Sequence, residues 1–324
     1  MTRGNRAMPA WPWIALLLVG VLAGLCFAAL NVGAAQTTSE IVMNIRAPRV
    51  VMAVLIGSGL GLAGALMQGS LANPLADPAL VGVSAGAALG VVAAASVGVA
   101  YGTLGAGVAA TVGAAIAVVV VVAASLHDKR PEVVTLLLAG VAVTAFAGSV
   151  LAVIVSMSPS AAGRSLTFWS SGSLALSTWG GVVSVLPFVI AGAILAASVA
   201  RPLDVLSLGD RGAFAAGVNV TSVRYRALGA TVLLVGAGVG AVGVIAFVGL
   251  LVPHAVRALV GPRHAPLMAL SALGGAILLL VSDTLARVVA NPIEVPIGAI
   301  TAIIGAPAFF VLLRRTRARQ GGWA

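Results

Sequence analysis

The sequence predicts an all-α, polytopic membrane protein of about ten transmembrane helices. Three observations carry that prediction. Of 324 residues, 60% are hydrophobic and 8% charged, against about 25% charged in soluble domains. The apolar residues fall in many runs of about 20, the length at which a helix spans a ~30 Å hydrocarbon core. Those runs do not alternate polar and apolar residues, as the strands of a membrane barrel do.

The runs place spans at 11–30, 48–67, 82–101, 105–126, 134–156, 180–200, 227–242, 244–260, 266–289 and 297–313 of one domain, 1–324. The seventh and eighth come from dividing one long apolar stretch near Gly243. Span one is long enough to cross, and no small-residue cleavage site follows it, so no signal peptide is expected. Prolines at 187, 253 and 307 lie inside spans, where neighbouring helices re-satisfy the backbone. The 40 glycines predict close helix packing through small residues.

Orientation follows from arginine and lysine. With an even number of spans both termini share one side. Arg3, Arg6 and the tail at 314–324, which opens "RRTRAR", make that side the cytoplasm. The even-numbered connections then add Lys129, Arg130, Arg201, Arg211, Arg224, Arg226 and Arg263, with Arg257 at the end of span eight. The +10 net charge therefore reads as topology and membrane-surface charge, with no nucleic-acid partner. Arg46, Arg49, Arg164 and Arg287 fall outside. Such a violation in a charge-poor chain asks for a local reason. Asp283 and Arg287 stand at i and i+4 on one helix face, where they can pair, on the same outer side as "NIRAPRV" (44–50).

The longest charged connection is 201–226, "RPLDVLSLGDRGAFAAGVNVTSVRYR". It predicts two short helices. The first carries Leu203, Val205, Leu206 and Leu208. Gly209 breaks it, Asp210 caps the second and Gly217 stops it. Their apolar faces either bind a partner protein or pack on the bundle's own end.

Several motifs fail their context tests. "GVSAG" (82–86) matches a nucleophile elbow but has no strand before it, so Ser84 reads as a small-residue helix start. "GLGLAG" (59–64) likewise lacks the strand a dinucleotide site needs and reads as helix packing. No P-loop sequence occurs. Cys26 is the single cysteine, which removes disulfides and cysteine metal sites. "ANPLADP" (72–78) reads as a stiff turn, with Asp77 structural. His254 reads as a structural hydrogen-bonding residue, with a proton relay to Asp283 as the functional alternative.

In order along 45–313 stand "IRAPR", "MQGSLANPLADPALVGVSAGA", "LLLAGVAV", "FWSSGSLA", "LGDRGAFAAGV", "AFVGLLVPHAVRALVGPRH", "SDTLAR" and "EVPIGAITAIIGAPAFFVLL". Together these resemble the FecCD-type permeases, the membrane subunits of type II ABC importers for iron–siderophores, haem and vitamin B12. The resemblance implies a ten-span permease that works as a dimer with an identical or paralogous second subunit. It implies cytoplasmic ATPase subunits that hold ATP and magnesium, an external substrate-binding protein, and no cofactor or catalysis in this chain. It implies residence in a bacterial inner membrane, among membrane lipid. The "R-x-P-R" and "D-x-x-x-R" segments imply that Arg46, Arg49 and Arg287 receive acidic residues of the binding protein. The loop after span six implies an ATPase coupling element that includes Leu206, Gly209, Asp210, Ala215 and Gly217. The segment before span five implies a cytoplasmic gate at Val133, Val134 and Thr135. Residues 163–173 imply a short outer helix beside the pathway, with Arg164 near an anionic cargo. The cargo expected is an iron complex, haem or a ferric siderophore, with cobalamin as the alternative. From other classes, an ion-gradient-driven secondary transporter and an intramembrane serine hydrolase built on Ser84 and His254 are the rival readings.

Overall fold

The computed structural model describes residues 11–33, 38–127, 130–157, 171–289 and 295–319. Its helices are α1 (Trp11–Asn31), α2 (Ser39–Ser70), α3 (Val83–Ser96), α4 (Leu104–Ser125) and α5 (Val133–Met157). They continue as α6 (Trp179–Leu206), α7 (Asp210–Ala215), α8 (Val220–Val242), α9 (Val248–Val260), α10 (His264–Val288) and α11 (Ile297–Arg319). Seven of these are long and apolar enough to cross a membrane, and α3, α9 and the apolar part of α11 are shorter. Each predicted span thus meets a helix. The extended pairing present among the described residues is a two-residue bridge, Leu126–His127 with Arg130–Pro131.

Helix α2 runs through the middle. Between helices in lipid, packing and hydrogen bonds must hold what water-driven burial holds in soluble proteins. The glycines of α2 supply that packing. A Cβ on Gly57 would meet the Gly275 carbonyl, and one on Gly61 the Ser271 carbonyl, both on α10. A Cβ on Gly64 would meet the Gly249 carbonyl of α9. "GLGLAG" is therefore a packing surface. "GVSAG" is one as well: Gly86 fits against Gly113 and Ala117 of α4. Ser84 lies among Ile56, Leu60, Val235 and Gly238, apolar company for a supposed nucleophile.

Three spans differ from their predicted bounds for identifiable reasons. Span two begins at Ser39, well before 48, because the chain stays helical through a π turn over Val42–Arg46. Pro48 explains the wider turn: in α geometry its ring would strike the Asn44 carbonyl. The Ala47 N–H bonds Val42 O. Continuing that register would need a Pro48 N–H for the Met43 carbonyl; the Trp179 indole N–H of α6 bonds it instead, at 2.9 Å. "NIRAPRV" is thus the inside of a long helix. Span seven starts at Val220, ahead of 227, behind an Asn219 cap whose side chain accepts the Ser222 N–H. Span eight is a helix only from Val248. Its 13 residues cover ~20 Å at 1.5 Å each.

The break between α8 and α9 falls at Gly243, as the sequence suggests. Gly243 has φ +80° and Phe247 φ +68°. Irregular backbone at membrane depth is tolerated where protein satisfies it. Here the Ser173 N–H donates to Val242 O at 2.8 Å, and the Ile297 N–H to Gly172 O at 2.9 Å. The break is therefore laced to the segment before α6 and to the start of α11.

Gly61→Leu should cost at least ~2 kcal/mol through overpacking against the Ser271 backbone. Gly24→Leu, on the open face of α1 where nothing lies within 4 Å, should be neutral. Thermal unfolding of both variants in detergent checks this: a clear drop for the first and none for the second.

Candidate docking and coupling sites

The first site sits where the C-terminal ends of α1 and α10 meet the start of α2. Arg49 donates from Nε to Asp283 Oδ1 at 2.8 Å, and its Nη2 lies 2.8 Å from the same oxygen. Arg287 Nε lies 3.3 Å from Asp283 Oδ2, the i,i+4 pair expected from the sequence. Arg46 Nη1 donates to Leu30 O at 2.9 Å, and Arg287 Nη1 to Ala29 O and Val32 O at 3.2 Å each. The last carbonyls of a helix lack intrahelical donors and carry the negative end of its dipole. Arg46 and Arg287 therefore close the end of α1. This is a local reason for arginines at this end of the bundle. Asp283 is fully buried, and Arg46 and Arg49 are nearly so. The three arginines named from the sequence do form one cluster, and their guanidiniums are turned toward the protein's own carbonyls and carboxylate.

The second site lies at the opposite end, between α6 and α8. The first of the two predicted loop helices does not stand alone: α6 runs unbroken through Pro202 to Leu206. Leu203 and Leu206 are buried, so this part packs on the bundle's own end and not on a partner. Gly209 ends it with φ +85°. The expected Asp210 cap is also corrected. Gly209 holds the cap position of α7, which frees the Asp210 carboxylate to pair with Arg224 Nη2 at 2.9 Å. Gly217 stops the helix as expected, with φ +80° and its N–H on Phe214 O. Ala215 lies in the last turn of α7. Leu208, in the turn before α7, and Phe214, on α7, remain 72% and 73% exposed, an apolar pair presented outward.

Arg224 does more than hold Asp210. Its Nε donates to Ser70 O, the last residue of α2, at 3.2 Å, and the residue is buried. A second brace joins α6 to α10: Asp204 Oδ1 accepts the His264 N–H at 2.7 Å and lies 2.8 Å from its Nδ1. A carboxylate on the free N–H groups at a helix start is favourable. Val133, Val134 and Thr135, expected at a gate, begin α5 at this same end, where the Glu132 N–H bonds Ser125 O. Thr135 Oγ1 donates to Glu132 Oε2 at 2.6 Å, and Val134 is exposed. Asp77 makes the predicted turn, accepting the Ala79 N–H at 2.8 Å. His254 lies on α9, where its Nδ1 is buried without a hydrogen-bond partner among the described residues. Arg164 and the rest of 158–170 lie outside the described residues, as does Glu294.

Sequence reasoning missed Arg224, Ser70, Asp204 and the α1 carbonyls as members of these sites. Their partners are 14 to 258 positions apart, and backbone acceptors carry no side-chain signal.

Breaking the buried pair with Asp283→Asn should destabilise the protein by ~3–5 kcal/mol, since it strands two guanidiniums. Replacing Arg49 and Asp283 together by leucine should recover part of that loss. Chemical unfolding of the single and double variants in detergent measures both.

Comparison with known proteins gives a consistent result. The model of the FecCD transport family matches residues 11–315. The hemin transport system permease protein HmuU of Yersinia pestis is 39% identical over 283 residues, 86% of this chain and 85% of that protein. The cobalamin import system permease protein BtuC of Halobacterium salinarum is 40% identical over 311 residues, 95% of this chain and 81% of that one. A solved structure described as an inward-facing metal-chelate type ABC transporter superposes with a TM-score of 0.85 at 28% identity, covering 94% of this chain and 99% of the other.

Proposed function

The chain belongs to the FecCD transport family, and from that premise we propose that it carries a metal chelate, haem or another iron complex first, into a bacterial cytoplasm. It is a multi-pass membrane protein and a permease subunit of an ABC importer. The match across nearly the whole chain is the observation that carries the reading. The hemin and cobalamin permeases among its relatives support a metal-chelate cargo, with cobalamin as the second reading.

In this proposal the α7 end is cytoplasmic, as are both termini, in a bacterial inner membrane. Arg201, Arg211, Arg224 and Arg226 at that end agree with the positive-inside tendency. ATP and magnesium bind separate ATPase subunits, and this chain performs no covalent chemistry. A second permease subunit completes the pathway, with Val133, Val134 and Thr135 near its cytoplasmic gate. Leu208 and Phe214 enter an apolar recess of the ATPase. A push on α7 passes through Asp210 and Arg224 to Ser70, and so to the central helix. Such a movement of packed helices is a rigid-body switch. Outside, Arg49 and Arg287 on Asp283 and Arg46 on the end of α1 give the outer face a positive field. That field steers and orients an acidic binding protein more than it adds affinity.

Two measurements test this. Phe214→Asp should abolish co-purification of the ATPase while leaving thermal stability unchanged, because Phe214 packs outward. Retained co-purification would remove α7 as the coupling element. The absorbance of the co-expressed binding protein identifies the cargo: a Soret band is expected for haem, a chelate charge-transfer band for a ferric siderophore. A corrin spectrum would shift the assignment to cobalamin, and no metal-chelate absorbance would contradict the proposal.

A further inference from the structure

A groove of about 640 Å³ runs between α6 and α10, with α2 as its floor. Its walls are small. Ala193 and Ala197 stand one turn apart on α6, and Ala265, Ala269 and Ala272 repeat at helical spacing on α10. Leu62 of α2 closes the bottom. The polar end is Arg201, which lines the groove where α6 leaves its apolar stretch, and whose residue is exposed. No hydrogen bond or ion pair ties Arg201 to the described residues. Arg263, also exposed, caps α10 beside Ala265, and the positive end of the α10 dipole points to the same level. No carboxylate is among the described residues that line the groove, and Asp204, three residues on from Arg201, is committed to His264 at 2.7–2.8 Å.

The occupant that fits has an apolar tail lying along the helices and an anionic head at their end. We propose that this groove is a binding site for one anionic phospholipid, its phosphate at Arg201 and an acyl chain over the alanine walls. Small residues are needed because larger side chains would fill the space the chain occupies. A generic boundary lipid needs neither the recess nor the guanidinium. The alternative occupant, a second copy of this chain, would have to bring a carboxylate to Arg201, and the chain has only eight acidic residues in all.

The test uses the full chain reconstituted in nanodiscs of equal phosphatidylglycerol and phosphatidylcholine, released into native mass spectrometry. The wild type should retain one phosphatidylglycerol in preference to phosphatidylcholine. Arg201→Gln should lower that retention about fivefold, the effect of one basic residue at an anionic surface. Ala269→Leu, on an exposed wall position, should lower it as well by filling the groove, with an unchanged melting temperature. Equal retention of both lipids by the wild type would overturn the proposal. So would unchanged phosphatidylglycerol binding in Arg201→Gln. Loss of dimer in Ala269→Leu with lipid retention intact would assign the groove to a second copy instead.

Discussion

The structure depends on backbone meeting backbone along α2. At Gly57, Gly61 and Gly64 the helix approaches α10 and α9 so closely that no side chain fits between them. In lipid, helices gain nothing by hiding apolar surface from apolar tails, so this contact area supplies the cohesion. It also fixes geometry. With its middle clamped, α2 holds Arg46 and Arg49 at one end of the bundle and Ser70 at the other. The two sites described above are therefore the two ends of one buried rod. A displacement at the α7 end, delivered through Arg224, has a stiff element on which to act.

Charge is rationed to helix ends. Arg46 and Arg287 close the carbonyl end of α1, Asp204 closes the amide end of α10, and Arg224 takes the last carbonyl of α2. Each solves the same problem: end groups of a helix have no partner within it, and lipid offers none. The buried Asp283 is set within α10, and two arginines hold it. The Asp283 cluster thus has a structural task whatever binds at this end. A docking role, as proposed, would draw on the same charges.

Much of this was legible in the residues. Hydropathy located the membrane-length helices among the described residues, Gly243 marked the break in the longest apolar run, and "SDTLAR" announced the Asp283–Arg287 pair. What stayed hidden has physical causes. The helical path through "NIRAPRV" depends on a π turn and on Trp179 of a distant helix, so Pro48 looked like a boundary. Leu203 and Leu206 looked like a separate amphipathic helix because local pattern does not reveal which neighbour covers a face. Asp210 looked like a cap because its true partner, Arg224, lies 14 positions away on another helix. The part Arg46 and Arg287 play in closing α1 stayed hidden because the carbonyls that hold them have no signature in sequence.

The central claim is that this chain is the membrane path of an ATP-driven importer. Its most direct test is uptake into proteoliposomes holding the chain with its ATPase, supplied outside with loaded binding protein. The account predicts uptake that requires ATP on the ATPase side, stops without the binding protein and is unaffected by ionophores that collapse proton and sodium gradients. Uptake that persists without ATP and vanishes with the ionophores would contradict it.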